Sequence, residues 1–105
     1  MADVRWSLSA ADDLESIENY VARDSVAHAI RFVDRLIESA ETLADAPRRG
    51  RVVPEYRREE LRELICRGYR VVYRLQDDVV TVLRVVHGAR DLVALFRGEP
   101  WAQDE

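Results

Sequence analysis

Lysine is missing from this chain of 105 residues: all 16 of its basic side chains are arginine. No lysine amine is therefore on hand as a nucleophile or tunable proton carrier. A guanidinium, with its pKa above about 12, grips anions but shuttles protons poorly. Cysteine is reduced to Cys66, which excludes an intrachain disulfide and agrees with a reducing compartment. Cys66, His28 and His87 stand at no ligand-like spacing, so neither a metal nor another cofactor is expected. No apolar run approaches the roughly 18 residues of a membrane span. The opening "MADVRWSLSAADDL" lacks the basic start and apolar stretch of a secretory leader. The expectation is a cytoplasmic protein that does not engage membranes.

What is present suits one globular domain, residues 1–98, followed by a short tail, 99–105. Apolar residues make up 48% and charged residues 34%, enough to build a core without staples. The net charge of −4 argues against indiscriminate nucleic-acid binding. The charge is unevenly spread, however. Residues 1–46 hold 4 arginines against 10 acids, whereas residues 47–98 hold 12 arginines against 7 acids. The front is acidic and the back basic.

Alternation in "DVRWSL" predicts a short strand. Ser9 then reads as a helix cap, with Asp12 and Asp13 in the first turn, and Leu14, Ile17 and Val21 recur at helical spacing. Ser25 caps a second helix whose apolar stripe runs through Val26, Ala29, Ile30, Val33, Leu36, Ile37, Ala40 and Leu43, ending before Pro47. The short connection makes an antiparallel helical hairpin. "PRRGRVVPEYRREE" reads as an arginine-rich loop with a brief strand at Val52–Val53. Strands follow over about 61–67, 69–75 and 79–87, with Asp77 and Asp78 turning the last pair. "ARDLVALF" predicts one or two helical turns.

Side chains alternate across a strand. With Leu75 opposite Val80, Tyr69, Val71, Tyr73, Leu75, Val80, Val82, Arg84 and Val86 share one face, which should pack on the helices. Arg70, Val72, Arg74, Thr81, Leu83, Val85 and His87 share the other. That mixed face reads either as half-solvated, with arginine stems over Val72 and Leu83, or as a surface another molecule covers.

The order of these elements resembles the ParE/RelE toxin superfamily of type II toxin–antitoxin systems. The likeness runs through "DDLESIENYV", "AHAIRFVDRLIESAETL", the loop Pro47, Gly50 and Arg51, then "LRELICRGYRVVYRL" and "VVTVLRVVHGARDL". "HGARDL" looks more like the ParE branch, which poisons DNA gyrase, than the RelE branch, which cuts mRNA on the ribosome. The resemblance implies a toxin that inhibits gyrase by binding, without itself being an enzyme. It implies a ParD-type antitoxin partner, forming a hetero-oligomer, and no direct sequence-specific contact with nucleic acid.

On that reading, Arg70, Val72, Arg74, Leu83 and Val85 are expected to meet the antitoxin, and His87, Arg90 and Trp101 the target. If the chain were a ribonuclease, His87 with Arg70 and Arg90 would form its centre, since strand cleavage needs a proton carrier and positive charge at the phosphate; Glu63 is a substitute base. Cys66 is expected as a buried thiol and His28 as solvated. The fold class expected is α+β: an N-terminal strand, a helical hairpin on a mainly antiparallel sheet of three or four strands, and a short C-terminal helical turn with a tail.

Overall fold

The computed structural model describes residues 1–99. The order is β1 (Asp3–Trp6), α1 (Leu8–Val21), α2 (Val26–Glu41), a 3-10 turn (Thr42–Ala44), β2 (Arg51–Val52), β3 (Leu61–Cys66), β4 (Tyr69–Gln76), β5 (Val79–His87) and α3 (Leu92–Leu95). The α+β expectation holds. The sheet has five strands in the order β1-β5-β4-β3-β2. The expected N-terminal strand, β1, forms one edge, parallel to β5, and the two-residue β2, which pairs Arg51 and Val52 with Glu63 and Arg62, makes the fifth strand at the other. Both hairpin turns, Arg67-Gly68 and Asp77-Asp78, put two successive residues at positive φ, the geometry of tight two-residue turns between twisted strands.

Three local expectations shift. The cap of α1 is Ser7, whose hydroxyl accepts from the Ala10 N–H, not Ser9. Asp12 and Asp13 therefore lie beyond the first turn. Ser25 caps α2 as read, accepting from the His28 N–H. The brief strand in the loop is Arg51–Val52 rather than Val52–Val53.

A larger correction lies in β5. Val72 pairs with Arg84, but Tyr73 pairs with Val82, so Leu83 is an extra residue in the ladder. Such a bulge reverses the alternation beyond it. Val85, expected on the mixed face, joins the helix-side core; Val86, expected on the helix side, crosses to the opposite face. His87 follows the same reversal and sits beside Tyr69, ring centroids 5.5 Å apart. The sequence carries no glycine at the bulge to announce it.

The start of α1 holds the bulge. The Ser7 hydroxyl donates to the Leu83 carbonyl (2.9 Å). One oxygen of Asp13 accepts from the Val85 N–H (2.8 Å) and from Arg84 Nε (2.8 Å), and the other from the second guanidinium nitrogen (2.9 Å). Backbone groups that the ladder leaves behind are thus satisfied from the helix.

The helix-side core joins Ile17, Leu36, Ala40 and Leu43 to Leu64, Val71, Tyr73, Val80, Val82 and Val85. Tyr73 is fully buried, and its hydroxyl both donates to the Pro47 carbonyl (2.7 Å) and accepts from the Gly50 N–H (3.0 Å). Burial raises its pKa above the usual phenol value. A Cβ at Gly50 would come within 2.7 Å of the Glu63 backbone oxygen, so this loop passes where only glycine fits.

The other sheet face is not open. Val72, Leu83 and Val86 lie beneath Val53, Leu61, Leu92 and Phe96, forming a second core. Arg70 and Val72 are buried, as are Leu83 and Val85, while Arg74 is half-buried. The expected exposed mixed face is therefore corrected: the loop after β2 and α3 cover it. Alternation gave the two faces but could not show that short apolar segments, Val53 and Leu92 to Phe96, would fold back over one of them.

Asp13→Ala should leave the Val85 N–H and Arg84 without their carboxylate. The cost should be about 1–3 kcal/mol, read as a lowered urea midpoint. Ser9→Ala should move it little, because Ser9 is exposed and is not the cap.

Candidate functional site

Two groupings of polar side chains stand out, and they lie on opposite faces of the sheet. The first is an ion-pair cluster under the loop after β2. Glu63, on β3, has no exposed side-chain surface. Its carboxylate accepts from Arg70 Nε (2.6 Å) and from Arg51 Nε (2.7 Å). The remaining guanidinium nitrogens of Arg70 grip Glu55 in a two-pronged pair, each contact 2.7 Å. Two acids and two arginines balance in charge. The paired carboxylates hold the Arg70 pKa above its already high value, led by the bond to Glu55. The same bond lowers the Glu55 pKa. Arg70 is thus a fastener that ties the loop to the sheet. A guanidinium so bound has no free edge for a phosphate and no proton to give.

Four more arginines of this stretch are also occupied. Arg48 pairs with Glu59, Arg58 with Glu60, and Arg49 donates to the Thr42 hydroxyl. Arg62 is buried, with its guanidinium on the carbonyls of Arg48, Gly50 and Glu59 and on the Glu59 carboxylate. Glu55, Glu59 and Glu60 are thereby each paired with an arginine.

The second grouping is an open hollow of about 230 Å³ between α1 and the ends of β4 and β5, lined by Asp13, Ser16, Tyr20, Tyr69, His87 and Arg90 among others. It brings together His87 and Arg90, both expected on the target-binding surface and both exposed. Trp101, the third residue of that set, lies outside the described residues. Nδ1 of His87 accepts from the Ala89 N–H (3.2 Å), which leaves Nε2 to carry the proton of the neutral ring. Asp13 also lines the hollow, but Arg84 and Val85 occupy both its oxygens.

Sequence reading missed Tyr20, Tyr69 and Asp13 as members of this hollow. Tyr69 was placed on the helix side, where it lies; what moved was His87, carried across by the bulge. Asp13 is 71 residues from Arg84, and nothing local marks such a pair. The expectation for Cys66 also shifts. It is half-exposed and packs on the helix-side core, its Sγ 3.9 Å from the Arg35 carbonyl. Among the described residues no three His, Cys, Asp or Glu side chains group as a metal site would require, and no helix is long and apolar enough to cross a membrane.

Residues 4–92 match the family model described as the ParE toxin of type II toxin–antitoxin system, parDE. The chain belongs to the ParE toxin family. This ParE-family chain is 36% identical over 91 residues to Toxin RelE2 of Caulobacter vibrioides, covering 86% of this chain and 99% of that one. It is 34% identical over 86 residues to Putative toxin Y4kP of Sinorhizobium fredii, covering 80% and 85%. Among solved structures, its fold is similar to a chain of the chromosomal ParDE toxin–antitoxin system from P. aeruginosa, with a TM-score of 0.70, 22% identity, and 83% of this chain and 96% of that one covered. A chain of the RelBE2 toxin–antitoxin complex from Mycobacterium tuberculosis gives a TM-score of 0.61, 27% identity, and coverage of 82% and 96%.

The cluster predicts a clear stability phenotype. Arg70→Ala strands the buried Glu63 with only the exposed Arg51 as partner, and should cost about 3–5 kcal/mol in urea unfolding. Because the Glu55 pKa is lowered in the folded state, its contribution is complete at neutral pH. It is lost as pH falls through that lowered value. The unfolding midpoint should stay level from about pH 7 to 5 and drop below about pH 4, with a shallower drop in Glu55→Gln.

Proposed function

We propose that this ParE-family toxin arrests growth by binding DNA gyrase, that it performs no chemistry itself, and that a ParD-type antitoxin neutralises it. The observation that supports binding over catalysis is the separation of Arg70 from His87 and Arg90. A ribonuclease built from these residues would need all three at one phosphate. Here the Arg70 guanidinium is bound by Glu55 and Glu63 under one sheet face, while His87 and Arg90 line a hollow on the other side. The hollow then serves as a recognition surface, with His87, Arg90 and the exposed Tyr20 offering charge and aromatic area to a protein target.

The antitoxin reading moves with the fold. Val72, Leu83 and Val85 are inside the domain, so they cannot supply the interface. The open stretch of β3 can. Beyond Glu63, β2 no longer pairs with it, and Ile65 is 58% exposed. An extended partner chain can add to such an edge while covering the isoleucine. Half-buried Arg74 remains able to meet an acidic antitoxin at the far end of β4.

A second reading, ribosome-dependent mRNA cleavage, draws support from His87 in the hollow, an imidazole beside Tyr20 and Tyr69. Expression without antitoxin separates the two. Gyrase binding predicts DNA-damage induction with intact message, and cleavage predicts nicked message with normal supercoiling. For the antitoxin edge, Ile65→Arg should weaken binding roughly tenfold or more in calorimetric titration without lowering the unfolding midpoint; unchanged affinity would remove β3 from the interface.

A further inference from the structure

A row of four rings crosses the end of the molecule where α2 meets β4 and β5. His28 lies against Phe32 (centroids 6.0 Å), Phe32 against Tyr69 (5.8 Å), and Tyr69 against His87 (5.5 Å), each pair edge to face. His28 and His87 are exposed, while Phe32 and Tyr69 are half-buried. The row joins the hollow at His87 and Arg90 to a smaller one lined by His28, Arg31, Phe32, Arg35 and Arg67.

Around this row arginines gather without forming ion pairs. Seven arginines are held in ion pairs. Of the described arginines, Arg31, Arg35, Arg67 and Arg90 are among those in none. Asp34 and Glu38 share α2 with two of them yet pair with neither. Arg31 and Arg35 stand one helical turn apart, where like charges repel. Arg67 adds a third guanidinium from the β3–β4 turn at a φ of 55°, a conformation that costs a non-glycine residue. Three cations at one end of an aromatic row and Arg90 at the other form a surface for a linear polyanion whose repeating units also carry flat rings.

We infer that this strip binds single-stranded nucleic acid without sequence preference, its phosphates on Arg31, Arg35 and Arg67 at one end and on Arg90 at the other, and its bases against the rings between. Guanidiniums tracking a backbone beside stacking rings are the chemistry of single-strand binding. A footprint of on the order of four nucleotides fits a surface this short. A duplex keeps its bases inside and cannot use the rings. The strip shares His87 and Arg90 with the proposed target surface but does not depend on which target is engaged. A failure here would leave the gyrase and message-integrity readouts as they stand.

The test is fluorescence anisotropy on the full chain with labelled oligo(dT) and oligo(rU) of about twelve nucleotides, an abasic strand of equal charge, a duplex, and polyglutamate, at about 50 and 200 mM salt. The single strands should bind, and the abasic strand and duplex should bind roughly tenfold or more weakly. The ratio of dT to rU affinity identifies DNA or RNA as the natural strand. Arg31→Gln and Arg67→Gln, both exposed and outside any ion pair, should each weaken binding and lower the salt slope by about one, with the unfolding midpoint unchanged. His28→Ala should weaken binding to the base-bearing strands but not to the abasic one. No binding at low salt, or abasic strand and polyglutamate binding as well as oligo(dT), would overturn the inference; the latter would identify the strip as a seat for an acidic peptide. Unchanged affinity in both arginine variants would overturn it equally.

Discussion

Asp13 decides how this molecule is put together. One carboxylate joins the second turn of α1 to the bulge of β5, binding both the Arg84 guanidinium and the Val85 N–H. The bulge inverts every side chain after it, sending Val85 into the helix-side core and His87 toward Tyr69. Without that inversion His87 would point at the face covered by Phe96, and the hollow beside α1 would lose its histidine. Arg84 is half-buried, and its bond to Asp13 raises its pKa. Packing, alternation and site therefore rest on the same contact.

The opposite face is governed by a different balance. Glu63 is a buried carboxylate, which is tolerable only because two guanidiniums reach it. Arg70 reaches it and Glu55 at once, so the charged cluster also ties down the loop that shields the second core. Burial of Val53, Leu92 and Phe96 and satisfaction of Glu63 cooperate: opening the loop would expose apolar surface and strand a charge together. The arginine-rich character of the chain's back half is in large part this internal accounting of acids and bases, with Arg48, Arg51, Arg58, Arg62 and Arg70 all engaged. Others, Arg31, Arg35, Arg67 and Arg90 among them, are exposed and in no ion pair among the described residues, and contribute to a charged exterior. Counting charges along the sequence mixes the two kinds.

A toxin held in check by a partner must keep its own core closed and still present surfaces for others. The domain does this with edges and ends rather than with its sheet faces. Both faces are packed, one under the helical hairpin and one under the loop and α3, and what remains is the unpaired stretch of β3 around Ile65, the hollow at His87 and the ring row beside α2. The last two meet at His87, but the β3 stretch shares no residue with them, so antitoxin and target can be recognised by different residues of a domain of this size.

Local physics made much of this legible in advance. Ser25 as a cap, the stripe along α2, the alternation of Tyr69, Val71, Tyr73 and Leu75, and the turn at Asp77 and Asp78 all follow from periodicity and backbone preference over a few residues. The order of those elements was enough for the family resemblance. Only the tertiary structure decided which face of the hairpin is free, because that depends on contacts between residues far apart in the chain: Asp13 with Val85, Glu55 with Arg70, Phe96 with Leu83. A bulge changes alternation by one residue without changing composition, and an ion pair across 71 positions leaves no periodic trace. Which arginines are spent inside and which face outward was therefore settled by folding alone.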